Sequence, residues 1–273
     1  MHGLGNDFIV VEAAPLVGWD LPALARSLCH RHTGVGADGM LVVSAGSNKG
    51  VAEMRIFNAD GSEAAMCGNG IRCFARYAYD RGIVRQRQLT VQTGAGAMGV
   101  AIELVGDEVI GLQIDMGVPR FEPEAIPMLS TGTDPGDHVL VVAGAPWRLH
   151  TLRLGVPHAV TFVERLATVP FAQVGPVIER DAVFPEGINV NFVEVLSNDR
   201  LRVRTWERGA GLTLACGTGA CAAAVVAARQ GLTGSHVSVE LELGVLSIEL
   251  KASDHVLMAG PAAYVCTGSF SAR

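Results

Sequence analysis

The amino-acid sequence predicts an α+β protein made of two pseudo-symmetric, duplicated domains, each a curved, barrel-like sheet of mixed, mostly antiparallel strands around a central buried helix. Three observations carry this reading. Leu4-Gly5-Asn6-Asp7-Phe8 resembles Leu154-Gly155-Val156-Pro157-His158 at an offset of 150, and Gly39-Met40-Leu41-Val42-Val43 stands 150 before Asn189-Val190-Asn191-Phe192-Val193. Met54 to Asn58 and Cys67 to Gly70 match Val203 to Glu207 and Cys216 to Gly219 at an offset of 149. Four blocks in one order at nearly one spacing imply duplication of a unit of about 115–150 residues. Second, most of the remaining chain reads as short strands punctuated by glycine. Third, Ala220 to Ala228 is apolar on every side, and a helix without a polar face must be enclosed by protein.

Each element has a local reason. Leu21 to His30 reads as a helix, with Asp20 as cap, Pro22 in the first turn and Gly34 as the stop. Val51 to Phe57 alternates, with Ala52, Met54 and Ile56 facing away from Glu53 and Arg55, the period of a half-buried strand. The helix after Cys67 places Ile71, Phe74, Ala75 and Ala78 at helical spacing before Gly82 ends it. Val109 to Met116 reads as a strand, and Gly117 to Gly136, with four prolines and no period, as the domain boundary. A helix over Phe171 to Glu179 follows Pro170; Leu201 to Trp206 alternates as a strand; and the helix after Cys216 stops at Gly231. The domains expected are therefore 1–116, with 261–273 returning to it, and 117–260.

Composition narrows the function. Of 273 residues 49% are hydrophobic, enough for a chain of this size to bury roughly 70–75% of its extended surface, which excludes disorder. A balance of 21 basic against 27 acidic side chains leaves no basic footprint for nucleic acid. Met1 to Asp7 lacks the charged head and apolar stretch of a signal peptide, and Ala210 to Ala228 is broken by threonines and glycines, so no membrane span is expected. The reading is a cytoplasmic protein, where six cysteines serve as buried small hydrophobes or reactive thiols rather than as a disulfide framework.

Cys67 and Cys216 each precede Gly-x-Gly where a strand-turn becomes a helix. Glycines let a ligand approach the backbone, and the first helical amides point outward with partial positive charge. A thiol there is expected to have its pKa lowered from about 8.5, fit to act as base or nucleophile. One such cysteine suggests nucleophilic catalysis or a redox sensor. Two related by duplication suggest that one thiolate removes a proton from one face of a carbon while the other thiol protonates the opposite face. That inverts a stereocentre with no cofactor and no metal, provided fixed donors meet the charge developing on the substrate carboxylate. The two lysines, Lys49 and Lys251, agree, since the pyridoxal route needs a lysine aldimine. Cys29, Cys73, Cys221 and Cys266 read as packing. Zinc is an alternative, but Cys67-x5-Cys73 and Cys216-x4-Cys221 do not match as a pair of knuckles. Gly34 to Gly39 follows a helix and lacks the third glycine of a nucleotide loop.

Six blocks together, His2 to Phe8, Gly34 to Gly39, Phe57 to Ser62, Met66 to Gly70, Glu207 to Gly211 and Ala215 to Cys221, resemble the diaminopimelate epimerases over essentially the whole chain. The related proline racemases also use two cysteines, but their histidine after Cys-Gly is Asn69 here. The resemblance implies a pyridoxal-independent enzyme interconverting LL- and meso-diaminopimelate, in lysine and peptidoglycan precursor synthesis, and a homodimer. It implies that Cys67 and Cys216 are the acid/base pair and that Gly68, Asn69, Gly217 and Thr218 hold the reacting carboxylate. Glu207 and the backbone at Arg208 would hold the ammonium; Asn58, Asn189 and the Arg208 side chain the distal end; Asn6 would line the site and His158 support the thiols. The alternatives are turn formation for Asn58 and Asn189, a solvated pair for Glu207 and Arg208, and a core histidine for His158.

Two positions depart from the family pattern. Val156 stands where Gly-Asn-Pro-His has its Asn, and Leu212 replaces a common acidic residue. Loss of an amide beside the distal end removes about 1–2 kcal/mol. This leaves a racemase for another amino acid, or a thiol redox or metal-binding protein, as the alternatives to diaminopimelate.

Overall fold

The computed structural model describes residues 1–46, 48–129 and 138–271. The chain divides into two units, Met1–Ile114 with Gly260–Arg273, and Asp115–Ala259. The proline-rich stretch Gly117 to Gly136 opens the second unit, and its last part, from residue 130, lies outside the described residues.

In the first unit the strands are β1 (His2–Gly3), β2 (Asn6–Glu12), β3 (Gly39–Ala45), β4 (Val51–Asn58), β5 (Glu63–Ala64), β6 (Gln88–Thr93), β7 (Gly96–Val105) and β8 (Glu108–Asp115). Its helices are α1 (Leu21–Cys29) and α2 (Gly68–Asp80). β2 runs parallel to β3, β3 antiparallel to β4, β4 parallel to β6, and β6, β7 and β8 follow as antiparallel neighbours, with β5 folded back on β4. β3 is buried on both faces, as a strand covered on both sides must be. Met40 and Val42 join the α1 residues Leu24, Ala25 and Leu28 in one cluster; Leu41 lies under α2. Asp20 caps α1 by accepting from the Ala23 N–H. Gly34 follows because any Cβ there would collide with the Ser27 and Leu28 carbonyls.

The second unit repeats the scheme. Its strands are β9 (His138–Val142), β10 (Ala145–Leu154), β11 (Val156–Phe162), β12 (Asn189–Ser197), β13 (Arg200–Glu207), β14 (Gly211–Thr213), β15 (His236–Leu241), β16 (Gly244–Leu250) and β17 (Val256–Gly260), with α3 (Phe171–Glu179) and α4 (Gly217–Arg229). β11 is parallel to β12, β12 antiparallel to β13, β13 parallel to β15, and β15, β16 and β17 antiparallel in turn. The pairing order is that of β2, β3, β4, β6, β7 and β8. Registers agree too: Phe8 pairs with Gly39 in one unit and His158 with Asn189 in the other. α3 packs on the Val190 and Phe192 face of β12, and α4 lies against β10 to β13 and β16 on the other. From Ala220 to Ala227 every residue of α4 is buried, as its apolar circumference demands.

The helices and strands follow the sequence within one or two residues. β4 and β13 each extend one residue beyond their alternating runs, which puts Asn58 and Glu207 on the last rung. Cys29, Cys73 and Cys221 are buried, but Cys266 is exposed and is corrected from the packing group. It sits in the irregular C-terminal segment, whose apolar residues have no strand or helix to turn them inward. That segment is held to the first unit by Arg72 Nε donating to the Pro261 carbonyl (3.1 Å) and Arg76 to that of Ala262 (2.7 Å), and by the bridge of His2 with Ala263. Among the described residues no helix is long and apolar enough to cross a membrane.

Candidate active site

Each unit carries a cluster of the candidate site residues, at the N-terminus of its enclosed 13-residue helix. Cys67 and Cys216 are the N-cap residues of α2 and α4, both with extended backbone, so the thiol stands beside first-turn amides that have no intrahelical acceptor. Gly70 and Gly219 let each helix start dock tightly on the sheet. A Cβ at Gly70 would lie 3.3 Å from Leu41 Cδ2 and 3.4 Å from Cys67 Cβ. One at Gly219 would lie 2.3 Å from Asn191 Oδ1 and 3.2 Å from Cys216 Sγ.

In the first unit, Asn6 Oδ1 accepts from Cys67 Sγ (3.7 Å) and from Asn69 Nδ2 (3.2 Å). Asn6 Nδ2 donates to Asp38 Oδ2 (2.8 Å), and Arg31 bonds both Asp7 and Asp38. Burial tends to raise the Asp7 pKa, but the Arg31 guanidinium holds it below the usual carboxylate range. The fully buried Arg72 donates to the Gly68 carbonyl (3.1 Å) and to Asn69 Oδ1 (2.8 Å), fixing the first turn of α2. Asn6, Cys67, Gly68 and Asn69 are thus brought together. Asn58 is not among them: its Nδ2 donates to Ser62 Oγ (2.9 Å) in the turn after β4.

In the second unit Cys216 is 5% exposed, its Sγ 3.5 Å from Thr218 Oγ1. Burial, then the charge of the Glu207 carboxylate, pushes the Cys216 thiol well above its ordinary range, outweighing the Thr218 hydroxyl and the Gly219 N–H. The lowering expected from the helix terminus alone is therefore reversed at Cys216. Glu207 accepts from Thr213 Oγ1 (2.6 Å), and burial raises its own pKa against the hydrogen bonds from Thr213 and Cys216. Asn189 Oδ1 accepts from the Arg208 N–H (2.8 Å), and the Arg208 guanidinium donates to the Glu186 carbonyl (2.8 Å). Glu179, closing α3, accepts from the Gly209 N–H (3.0 Å) and Trp206 Nε1 (2.7 Å) and so pins the turn after Glu207. His158 is wholly buried on β11, where burial pushes its pKa down to about 3, leaving it neutral. Val156 is the first residue of β11 and Leu212 the middle of β14, both partly exposed.

Asn191, Thr205, Thr213, Glu179, Asp38 and Arg72 were not singled out from sequence. For Asn191 and Thr205 a signal exists. They stand two residues from Asn189 and Glu207 on strands, hence on the same face. Among the described residues no three His, Cys, Asp or Glu side chains come together as a metal site.

The chain is similar to known proteins over nearly its whole length. A family model described as diaminopimelate epimerase matches residues 1–122 and 151–265. The diaminopimelate epimerase of Moorella thermoacetica is 50% identical, over 99% of this chain and 97% of the relative. That of Desulfitobacterium hafniense is 48% identical, over 98% and 95%. Solved structures share the fold at low identity. A phenazine biosynthesis protein of Bacillus anthracis superposes with a TM-score of 0.69 at 17% identity, over 97% of this chain and 93% of its own. A hydroxyproline epimerase of Agrobacterium vitis does so with 0.65 at 15%, over 95% and 86%.

Proposed function

The chain belongs to the diaminopimelate epimerase family, and from that premise we propose that it interconverts LL- and meso-diaminopimelate with its two thiols, Cys67 and Cys216, as acid and base. The observation that carries this reading is the pair of cysteines at equivalent N-caps of equivalent helices, each followed by Gly-x-Gly. The thiolate of one takes the α-proton from one face of the carbon, the thiol of the other gives its proton to the opposite face, and the enzyme ends with the two protonation states exchanged. The electron pair left on the substrate spreads into the α-carboxylate, for which the amides of Gly68, Asn69, Gly217 and Thr218 are the donors. Such fixed donors are worth about 3 kcal/mol each in a water-poor site.

Burial and Glu207 keep the proton on Cys216 until the carbanion forms, which suits it to act as the acid. In the reverse direction, the substrate ammonium paired with Glu207 cancels that carboxylate's charge and lowers the cost of a Cys216 thiolate. Asn189, whose Nδ2 has no partner among the described residues, and Arg208 serve the distal end, together with Asn58 once it releases Ser62. Asn6 orients Cys67, and His158 supports the Cys216 side. The enzyme works in the cytoplasm as a homodimer, without a cofactor.

The test is turnover in deuterated water under reducing conditions. Deuterium is expected at the α-carbon of the product and not in recovered substrate, because a thiol carries a single proton and retains the one it removed. Label entering recovered substrate as fast as product would overturn the two-base reading. Val156 and Leu212 favour a second reading, a racemase for another amino acid. A panel of amino acids in the same assay decides it, by whether exchange occurs with diaminopimelate or only with another member.

A further inference from the structure

The floors beneath the two catalytic helices are built on the same lattice from different chemistry. Strand register makes Phe8 the counterpart of His158, Leu41 that of Asn191, and Ile56 that of Thr205. Under α2 the floor is apolar, and Gly70 rests on Leu41 and Phe8. Under α4 it is polar, and Gly219 rests on Asn191 and Thr205. A buried polar group costs free energy unless its partners are fixed, so the polar set has a definite proton arrangement.

That arrangement can be deduced. The Ala159 carbonyl is an acceptor only, so the Asn191 atom 3.0 Å from it is the amide nitrogen. The amide oxygen then faces Thr205 Oγ1, from which it accepts at 3.0 Å. The second hydrogen of the same nitrogen points to His158 Nδ1 at 3.2 Å, so Nδ1 is the acceptor and the ring proton resides on Nε2. Among the described residues Nε2 is buried and meets no partner. It is a donor held ready on the sheet face that α4 covers.

We propose that Asn191 is a positioning residue for the epimerisation: by keeping the His158 proton on Nε2, it gives the floor beneath Cys216 a fixed neutral donor that the floor beneath Cys67 does not have. This rests on the two-thiol reading. The link to Cys216 runs through the helix start: a Cβ at Gly219 would meet both Cys216 Sγ (3.2 Å) and the oxygen of the Asn191 amide that fixes the His158 proton (2.3 Å), so a neutral donor on this floor eases the cost of a Cys216 thiolate. Thr205 and Ala159 hold the amide against rotation.

The test is nitrogen-15 NMR of the histidine-labelled full chain, with His158→Gln to assign the signal, beside steady-state kinetics. Wild type is expected to show an Nε2-protonated His158. Asn191→Asp, which replaces the donor by an acceptor, is expected to move the proton to Nδ1 and to lower kcat at least tenfold with KM changed less than threefold. Thr205→Val is expected to keep the proton on Nε2, since the Ala159 carbonyl still orients the amide. An Nδ1-protonated wild type overturns the proposal, as does Asn191→Asp with its proton moved and kcat within twofold of wild type. If the buried carboxylate prevents folding, Asn191→Leu takes its place, with loss of the pure Nε2 form and the same fall in kcat expected. A wild type inactive on diaminopimelate would overturn the functional reading, and the catalytic role of Asn191 with it, while the tautomer remains separately measured.

Discussion

Cys67 and Cys216 share a backbone position but not a surrounding, and Cys73 shows what a cysteine of the same helix does when it only packs. Its thiol is fully buried and burial pushes it up to about 12, so it stays protonated and inert. Cys67→Ser and Cys216→Ser are each expected to cut kcat by about 10²–10⁴-fold, the range for loss of an acid or base. Cys73→Ser should leave turnover near wild type and cost about 1–3 kcal/mol of stability for a buried hydroxyl. Equal losses of kcat in three folded variants would contradict the assignment. His158 makes a second, pH-dependent case. Its pKa is about 3 in the fold against an ordinary 6.5, so the unfolded chain binds the proton first. Its contribution to stability is complete above pH 6.5 and is lost as pH falls toward 3, at up to about 1.4 kcal/mol per pH unit. Urea unfolding at pH 6.5 and 5 should show this slope in wild type and a shallower one in His158→Gln.

At the scale of elements, the two helix starts differ in what a methyl group would meet. Gly70→Ala brings its Cβ to 3.3 Å from a leucine methyl that can yield, whereas Gly219→Ala drives it to 2.3 Å from an amide oxygen already committed to Thr205. Gly219→Ala is therefore expected to lower kcat at least tenfold more than Gly70→Ala, measured on folded protein by the same assay. These helices also show what is legible in sequence. Their starts, and that of α1 at Asp20 and Pro22, depend on residues within one turn, so local spacing suffices. The protonation of Cys216 and His158 does not, because it is set by Glu207 and by strands brought in from other parts of the chain. Asn191 and Thr205 were readable in principle through strand alternation, yet their meaning depends on Ala159 of a neighbouring strand. Asn58 was legible both as a residue beside the thiol block and as a turn former; the bond to Ser62 shows the turn, while spacing alone could not name its partner.

For the whole molecule, duplication preserved positions while chemistry diverged, so that one unit floors its helix with hydrocarbon and the other with amide, hydroxyl and imidazole. The common offset of 149–150 exposes the first fact in the sequence; the second needs strand register. The return of the C-terminal segment adds a further expectation. Deleting residues 261–273 removes the Pro261 and Ala262 carbonyls from Arg72 and Arg76, each a bond to a charged group worth about 1.5–3 kcal/mol. The truncated chain should melt several degrees lower, and its kcat should fall through Asn69, which Arg72 orients. The same connection bears on synthesis. Unit two, Asp115–Ala259, is an insertion within the chain of unit one, so a ribosome has released every residue of the second unit before it supplies the last piece of the first. Translation runs from the amino end, yet the amino-terminal unit is completed after the second, because Arg72 can meet its Pro261 acceptor only once the whole of Asp115–Ala259 has been made.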